Sequence, residues 1–168
     1  TLEGLGCYDG NSMTVYKPSS EPTRNFLGNE IHNLVSDKQG NIFFTSDNVL
    51  IHYDLHKEQF SPLQRKVNCL HAQGHTVWAA TQDSVFKWNP GKKQFAFVYR
   101  LKPSQYITSL YSDTNDCLWL GTSRGLYRID NLATPTPVCV IAEVNVHSLY
   151  RDTKGRMWVA AFRQGMYK

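Results

Sequence analysis

The sequence predicts an all-β fold, a β-propeller of four-stranded antiparallel blades, and three observations carry that reading. A pattern of about 40 residues recurs along the 168-residue chain. Each copy divides into four short apolar runs separated by turn residues. No segment shows the 3.6-residue apolar period or the capping signals of a helix.

The copies are plain when aligned. "IHNLVSDKQGNIFFTSDNVLIHYD" begins at Ile31, "VNCLHAQGHTVWAATQDSVFKWN" at Val67, "ITSLYSDTNDCLWLGTSRGLYRID" at Ile107 and "VHSLYRDTKGRMWVAAFRQGMYK" at Val146. The starts lie 36, 40 and 39 residues apart, and the aromatic landmarks Phe43, Trp78, Trp119 and Trp158 recur at 35, 41 and 39. The opening "GLGCYDGNSMTVY" matches only the second half of a unit.

Within a unit, strand one is the I/V-x-x-L run. A tight turn follows, as in Asp37 to Gly40, Asp113 to Asp116 and Asp152 to Gly155. Aspartate starts such turns through side-chain bonds to the backbone, and glycine closes them with positive φ, which Asp116 tolerates less well. Strand two is centred on the aromatic residue. Strand three carries "VLIHYD", "SVFKWN" or "GLYRID", and strand four "QFSPL", "QFAFV" or "VCVIAEV".

Strand two breaks the alternation expected of a strand with one wet face: Leu118, Trp119 and Leu120 are adjacent and all apolar. A blade covered on both faces by neighbours explains this, because both faces of its inner strands are then buried. Core packing is accordingly the expected role of Trp78, Trp119 and Trp158. The small residues after the aromatic, such as Ala80, Gly121 and Ala160, suit a crowded point between blades.

The whole chain, residues 1–168, reads as one propeller portion. It has a partial blade at 1–27, blades starting near 31, 67 and 107, and a partial blade at 146–168. About four blades result, either a closed small ring or an arc of a larger one. Because the chain opens and stops inside units, it is expected to be a piece of a longer protein.

Composition bounds the function. The net charge is +4, with basic residues spread along the chain, and no dense basic stripe predicts nucleic-acid binding. No apolar run approaches the roughly 18 residues that span a bilayer. The cysteines, Cys7, Cys69, Cys117 and Cys139, form no C-x-x-C pair and no metal-ligand spacing with histidine. Neither a phosphate-binding glycine loop nor a nucleophile elbow is present, so no cofactor, no metal and no catalytic residue is assigned. The Asp turns supply too few oxygen ligands for a Ca²⁺ loop.

The repeat I-x-x-L-x-x-D-x-x-G-x-L-W-x-G-T-x-x-G-L resembles the two-component regulator propeller repeat. Asp113, Leu118, Trp119, Gly121, Thr122, Gly125, Leu126 and Asp130 carry the likeness, as do Asp152, Gly155, Trp158, Gly165 and Met166, and Asp37, Gly40, Phe43 and Asp54. The copy starting at Val67 departs most. The resemblance implies the periplasmic sensor portion of a hybrid histidine kinase whose parent is anchored in the inner membrane. Such a sensor responds to oligosaccharides, signals to the kinase without catalysing a reaction, and associates with other blades or as a homodimer. The alternatives are a propeller lyase or glycoside hydrolase, for which His32 and His147 are the candidates, and a purely structural interaction module. The strand "GNIFFT" has a counterpart in streptogramin-lyase-like propellers.

Loops carry function where repeats supply scaffold. The turns between strands two and three hold Asp47, Asp83, Arg124 and Arg163. The loops entering strand one hold Asn29, Gln105 and Tyr106. Asp47, Asp83, Arg124, Arg163, Gln105 and Tyr106 are the expected ligand-binding set, since planar polar groups beside an aromatic ring suit sugar hydroxyls and carboxylates.

Overall fold

The computed structural model describes residues 4–17, 26, 28, 30–113 and 117–168. Every regular element among them is a β-strand. Asn29 and Asp116 lie outside the described residues. The chain divides into two compact units, Thr1–Val67 and Asn68–Lys168.

In the first unit β1 (Leu5–Tyr8) and β2 (Met13–Tyr16) form a hairpin sheet. The next four strands are β3 (Ile31–Ser36), β4 (Asn41–Ser46), β5 (Val49–Asp54) and β6 (Gln59–Arg65). They make one antiparallel sheet in chain order, the meander of a propeller blade. Its core joins Phe26, Phe44, Ile51, Tyr53 and Phe60, with Leu5 and Tyr16 of the hairpin packed against them. Tyr53 stacks on Phe60 at 4.2 Å between ring centroids.

The second unit holds three sheets. The first contains β7 (Cys69–Gln73), β8 (Thr76–Ala80), β9 (Ser84–Asn89) and β10 (Gln94–Arg100). The second contains β11 (Ile107–Ser112), β12 (Leu118–Thr122), β13 (Gly125–Ile129) and β14 (Val138–Ala142). The third contains β15 (Val146–Arg151), β16 (Met157–Ala161) and β17 (Gly165–Tyr167). Each is antiparallel with neighbouring strands in chain order. The inner strand β11 lies against both β7 and β15, so the middle blade is covered on both faces.

That placement resolves the apolar triplet. Leu118 and Leu120 project to one face and join Cys69, Trp78, Ala80 and Val85 of the preceding blade. Trp119 projects to the other face and packs near Val146, Leu149, Met157 and Val159 of the following blade. Burying each leucine stabilises the stack by about 1.5–3 kcal/mol.

The three tryptophans differ in burial. Trp78 is fully buried, whereas Trp119 and Trp158 are only partly so. Trp158 lies on the face of β15–β17 turned away from the middle blade. There, with Ser148, Tyr150, Ala160 and Met166, it lines a cleft of about 300 Å³.

The G-T pair of the repeat has a steric and a bonding cause. A Cβ on Gly121 would run into Ser109 Oγ and come within 2.6 Å of Val146 on the next blade. Thr122 Oγ1 donates to the Gly125 carbonyl at 2.9 Å and accepts the Arg124 N–H at 3.1 Å, closing the turn from within. Gly125 itself has φ 152° and leaves a Cβ no room beside the Ile141 carbonyl.

Blades are also joined by a polar contact. His71 Nε2 lies 3.3 Å from the Ser112 carbonyl of the next blade, and its ring lies 4.9 Å from that of Tyr111. Burial pushes the His71 pKa below its usual 6.5, partly offset by the bond to Ser112.

Two outcomes follow from this packing. Gly121→Val should destabilise the protein by about 1–3 kcal/mol through overpacking, read as a lower urea midpoint, whereas Gly91→Ala, free of close contacts, should change it little. The unfolded chain protonates His71 near pH 6.5 while the folded chain resists, so the unfolded state binds more protons on acidification. The melting temperature should therefore fall below about pH 6.5, and less steeply in His71→Gln.

Candidate functional site

The two ends of a blade are built differently. At one end, the turn after strand two is tied to the residue entering strand one. Asp47 N–H donates to the Glu30 carbonyl at 3.1 Å, and Asp47 Oδ1 accepts the Glu30 N–H at 3.0 Å. Ser123 N–H donates to the Tyr106 carbonyl at 3.0 Å, and Ser123 Oγ accepts the Tyr106 N–H at 3.2 Å. Phe162 N–H donates to the Asn145 carbonyl at 2.8 Å, and Gln164 Oε1 accepts the Asn145 N–H at 3.3 Å.

Several of the residues expected to bind ligand are thus engaged in the fold. Asp47 is such a hook. Asp83 holds Ser84 Oγ at 2.8 Å and lies 3.3 Å from Arg100 Nε. Gln105 Nε2 donates to the Tyr127 hydroxyl at 3.0 Å. Arg124 is exposed at its turn, and Arg163 is exposed with its guanidinium 5.1 Å from the ring centre of the adjacent Phe162. Tyr106 is also exposed, beside the Ser123 hook. The loops are in the register that the repeat predicts, but among the described residues no contact draws Arg124, Arg163 and Tyr106 into one cluster.

The histidine candidates are both exposed. His32 is exposed, 3.7 Å from Glu30. His147 is exposed at a strand-one bulge, where the β15–β16 register shifts between Val146 and Ser148.

The opposite end, where the Asp turns lie, holds a cleft that sequence reasoning missed. It measures about 610 Å³ and opens between the middle blade and β15–β17. Asp113, Cys117, Trp119, Arg128, Asp130, Arg151, Gly155 and Met157 line it. Its charged groups are orientated in pairs. Arg128 Nη2 donates to Asp130 Oδ2 at 2.9 Å, and the guanidinium lies 5.7 Å from the Trp119 ring centre. Arg151 Nη1 reaches across the blades to Asp113 Oδ2 at 2.9 Å, and Arg151 Nε donates to the Gly155 carbonyl at 3.2 Å. Cys117 Sγ donates to Asp130 Oδ1 at 3.3 Å. Burial foremost, then this bond, pushes the thiol up to about 12, so it stays neutral at physiological pH.

The Asp turns themselves behave as expected, with one informative difference. Asp37 Oδ1 accepts the N–H groups of Gln39 and Asn41, and Oδ2 accepts Asn41 Nδ2 at 2.7 Å. Asp152 Oδ1 likewise accepts Lys154 and Arg156 N–H, while Oδ2 accepts Trp158 Nε1 at 2.9 Å and Arg156 Nε at 2.6 Å. The Trp158 indole first, then Arg156, holds the Asp152 carboxyl well below the usual carboxylate range. Asp113 Oδ1 accepts the Cys117 N–H, but its second oxygen serves Arg151 of the next blade. Its own tryptophan, Trp119, is left with a buried indole N–H and no acceptor among the described residues.

These blades define a β-propeller repeat protein. Residues 102–124 and 141–163, which overlap the third and fourth copies, match the two-component regulator propeller family. Among solved structures it is similar to the extracellular domain of BT4673 from B. thetaiotaomicron, described as a putative one-component and as a putative hybrid two-component system. The identity is 22%, with TM-scores of 0.76 and 0.74 over 98% of this chain and 25% and 24% of those. PorZ of the Porphyromonas gingivalis type-IX secretion system is 17% identical, with TM-score 0.74 over 98% of this chain and 29% of that one. A streptogramin B lyase is 14% identical, with TM-score 0.62 over 84% of this chain and 50% of that one. The chain spans about a quarter of the length of the BT4673 domains. No curated protein sequence matches it.

The two ion pairs of the cleft differ in burial, and that should be measurable. The side chains of Arg151 and Asp113 are 34% and 10% exposed, those of Arg128 and Asp130 41% and 56%. A double-mutant cycle on Asp113→Ala and Arg151→Ala should give a coupling of about 1 kcal/mol, and the same cycle on Arg128 and Asp130 less than about 0.5 kcal/mol.

Proposed function

We propose that this chain is a non-catalytic part of the extracytoplasmic sensory propeller of a two-component system. The observation that carries this reading is the match of residues 102–124 and 141–163 to the two-component regulator propeller repeat. The likeness to sensor ectodomains agrees with it in fold. In this reading the parent protein is a hybrid histidine kinase of the inner membrane, its sensor region is periplasmic, and its ectodomains pair as a homodimer. The signal is an oligosaccharide, and the propeller passes its binding towards the membrane.

A sensor of this kind works by differential affinity. A ligand shifts a signalling equilibrium only by as much as it binds one arrangement better than the other. A stack of blades suits that task, because a molecule seated between two blades can favour one spacing of them. An enzyme would instead need a placed acid, base or nucleophile. The exposed His32 and His147 have no such setting.

Calorimetry of the parent ectodomain against an oligosaccharide panel should show saturable binding, and mass spectrometry should recover the bound sugar unchanged. Turnover that disappears in His32→Ala or His147→Ala would replace the sensor reading with a lyase or hydrolase.

A further inference from the structure

We infer that the open face of β15–β17 is the seat of a further β-sheet of the parent protein, and that an isoleucine or valine opening that sheet's first strand fills the hollow at Ser148 and Ala160. The inference adds an interaction surface to the proposed function. It rests on that reading only in taking the chain as part of a longer sensory propeller.

The first argument is a hollow that two preceding copies fill. In each copy a small residue of strand one pairs with a small residue of strand two: Cys69 with Ala80, Ser109 with Gly121 and Ser148 with Ala160. Ile107, the first residue of β11, is buried in one cluster with Cys69 and Ala80, and Asn68 Nδ2 donates to its carbonyl at 3.5 Å. Val146, the first residue of β15, takes the next hollow, since a Cβ on Gly121 would lie 2.6 Å from it. Ile107 and Val146 are both buried. The third pair, Ser148 with Ala160, lines the cleft of about 300 Å³ together with Tyr150, Trp158 and Met166.

The second argument is burial compared position by position. On strand three, Val85, Leu126 and Met166 hold the same place in the repeat. Val85 and Leu126 are buried, whereas Met166 is 68% exposed. Leu126 packs with Val144, Val146 and Val159 of the chain that follows its own blade. On strand one Ser109 is buried and Ser148 exposed, and Tyr111 is half-buried where Tyr150 is 63% exposed. Large apolar side chains thus meet water at the places where a covering sheet lies in the other copies. A contiguous apolar patch of this kind marks an interaction site.

The third argument is what does the covering. Ile107, Leu110, Leu118 and Leu120 lie over the blade of β7–β10. Val146, Leu149, Met157 and Val159 lie over the middle blade. Both sets read I/V-x-x-L on strand one and alternate residues on strand two, and neither holds a charge. The covering strand β15 lies against β11 and β12, the counterparts of the two strands that line the open cleft. A sheet with the same pattern therefore has the shape and the chemistry for β15–β17. Met166 suits the contact, because an unbranched thioether adapts to the side chain set against it.

The test measures maleimide labelling of Met166→Cys, read by peptide mass so that the native cysteines do not interfere, in the 168-residue chain and in the parent ectodomain. Phe97→Cys, on the exposed outer strand β10, is the control and should label alike in both. The expected result is that Met166→Cys labels at least tenfold more slowly in the parent ectodomain. Ala160→Leu, which fills the hollow from below, should bring the parent's rate back towards that of the 168-residue chain and leave the latter's rate unchanged. The comparison without Ala160→Leu decides the matter even where that variant unfolds. Equal rates in chain and ectodomain overturn the inference and leave the sensory reading to its own calorimetry. Protection in the 168-residue chain that grows with its concentration assigns the face to a second copy and overturns the parent's sheet as occupant. Protection there at every dilution places the cover within the chain and overturns it as well.

Discussion

Blade-on-blade burial is the constraint on which the rest of the second unit depends. A four-stranded meander is too thin to own a core, so each sheet must find apolar cover on both faces. Leu118 and Leu120 find it on the preceding blade and Trp119 on the following one. Close approach then restricts the neighbours of these residues. Gly121 has no side chain because Ser109 and Val146 occupy the space. Trp78 disappears entirely from solvent because a full blade lies over it.

Hydrogen bonding divides the labour between the two ends of a blade. At the end of the strand two to strand three turns, side chains such as Asp47, Ser123 and Gln164 bond the backbone entering strand one. At the Asp-turn end one carboxylate oxygen is committed to the turn, and the other is free to choose a partner. Asp37 chooses Asn41, Asp152 chooses Trp158 and Arg156, and Asp113 chooses an arginine one blade away. Variation in this second bond distinguishes the copies of the repeat.

The repeat legible in the sequence accounts for most of the fold. The Asp turns, the aromatic-centred second strand and the G-T step each appear where the alignment of copies puts them. Their causes are local: a side-chain oxygen two to four residues from the N–H it accepts, and a threonine three residues from the carbonyl it bonds. Polar loop residues were less legible as a site. Asp47 looks like an exposed ligand contact in a sequence, yet its partner is a backbone group 17 residues away.

By itself the sequence determined the unit: its length, its four strands, its turns, and the burial of both faces of strand two. These follow from short-range bonding and from the period of apolar residues. Only the tertiary structure decided that Trp119 and Trp158, which hold the same place in the repeat, have different surroundings. It also decided that Arg151, bonded through Nε to the Gly155 carbonyl of its own turn, also pairs with Asp113 across 38 residues. The physical reason is that a repeat specifies each blade, whereas a cleft between blades is set by which side chains two stacked copies present to each other.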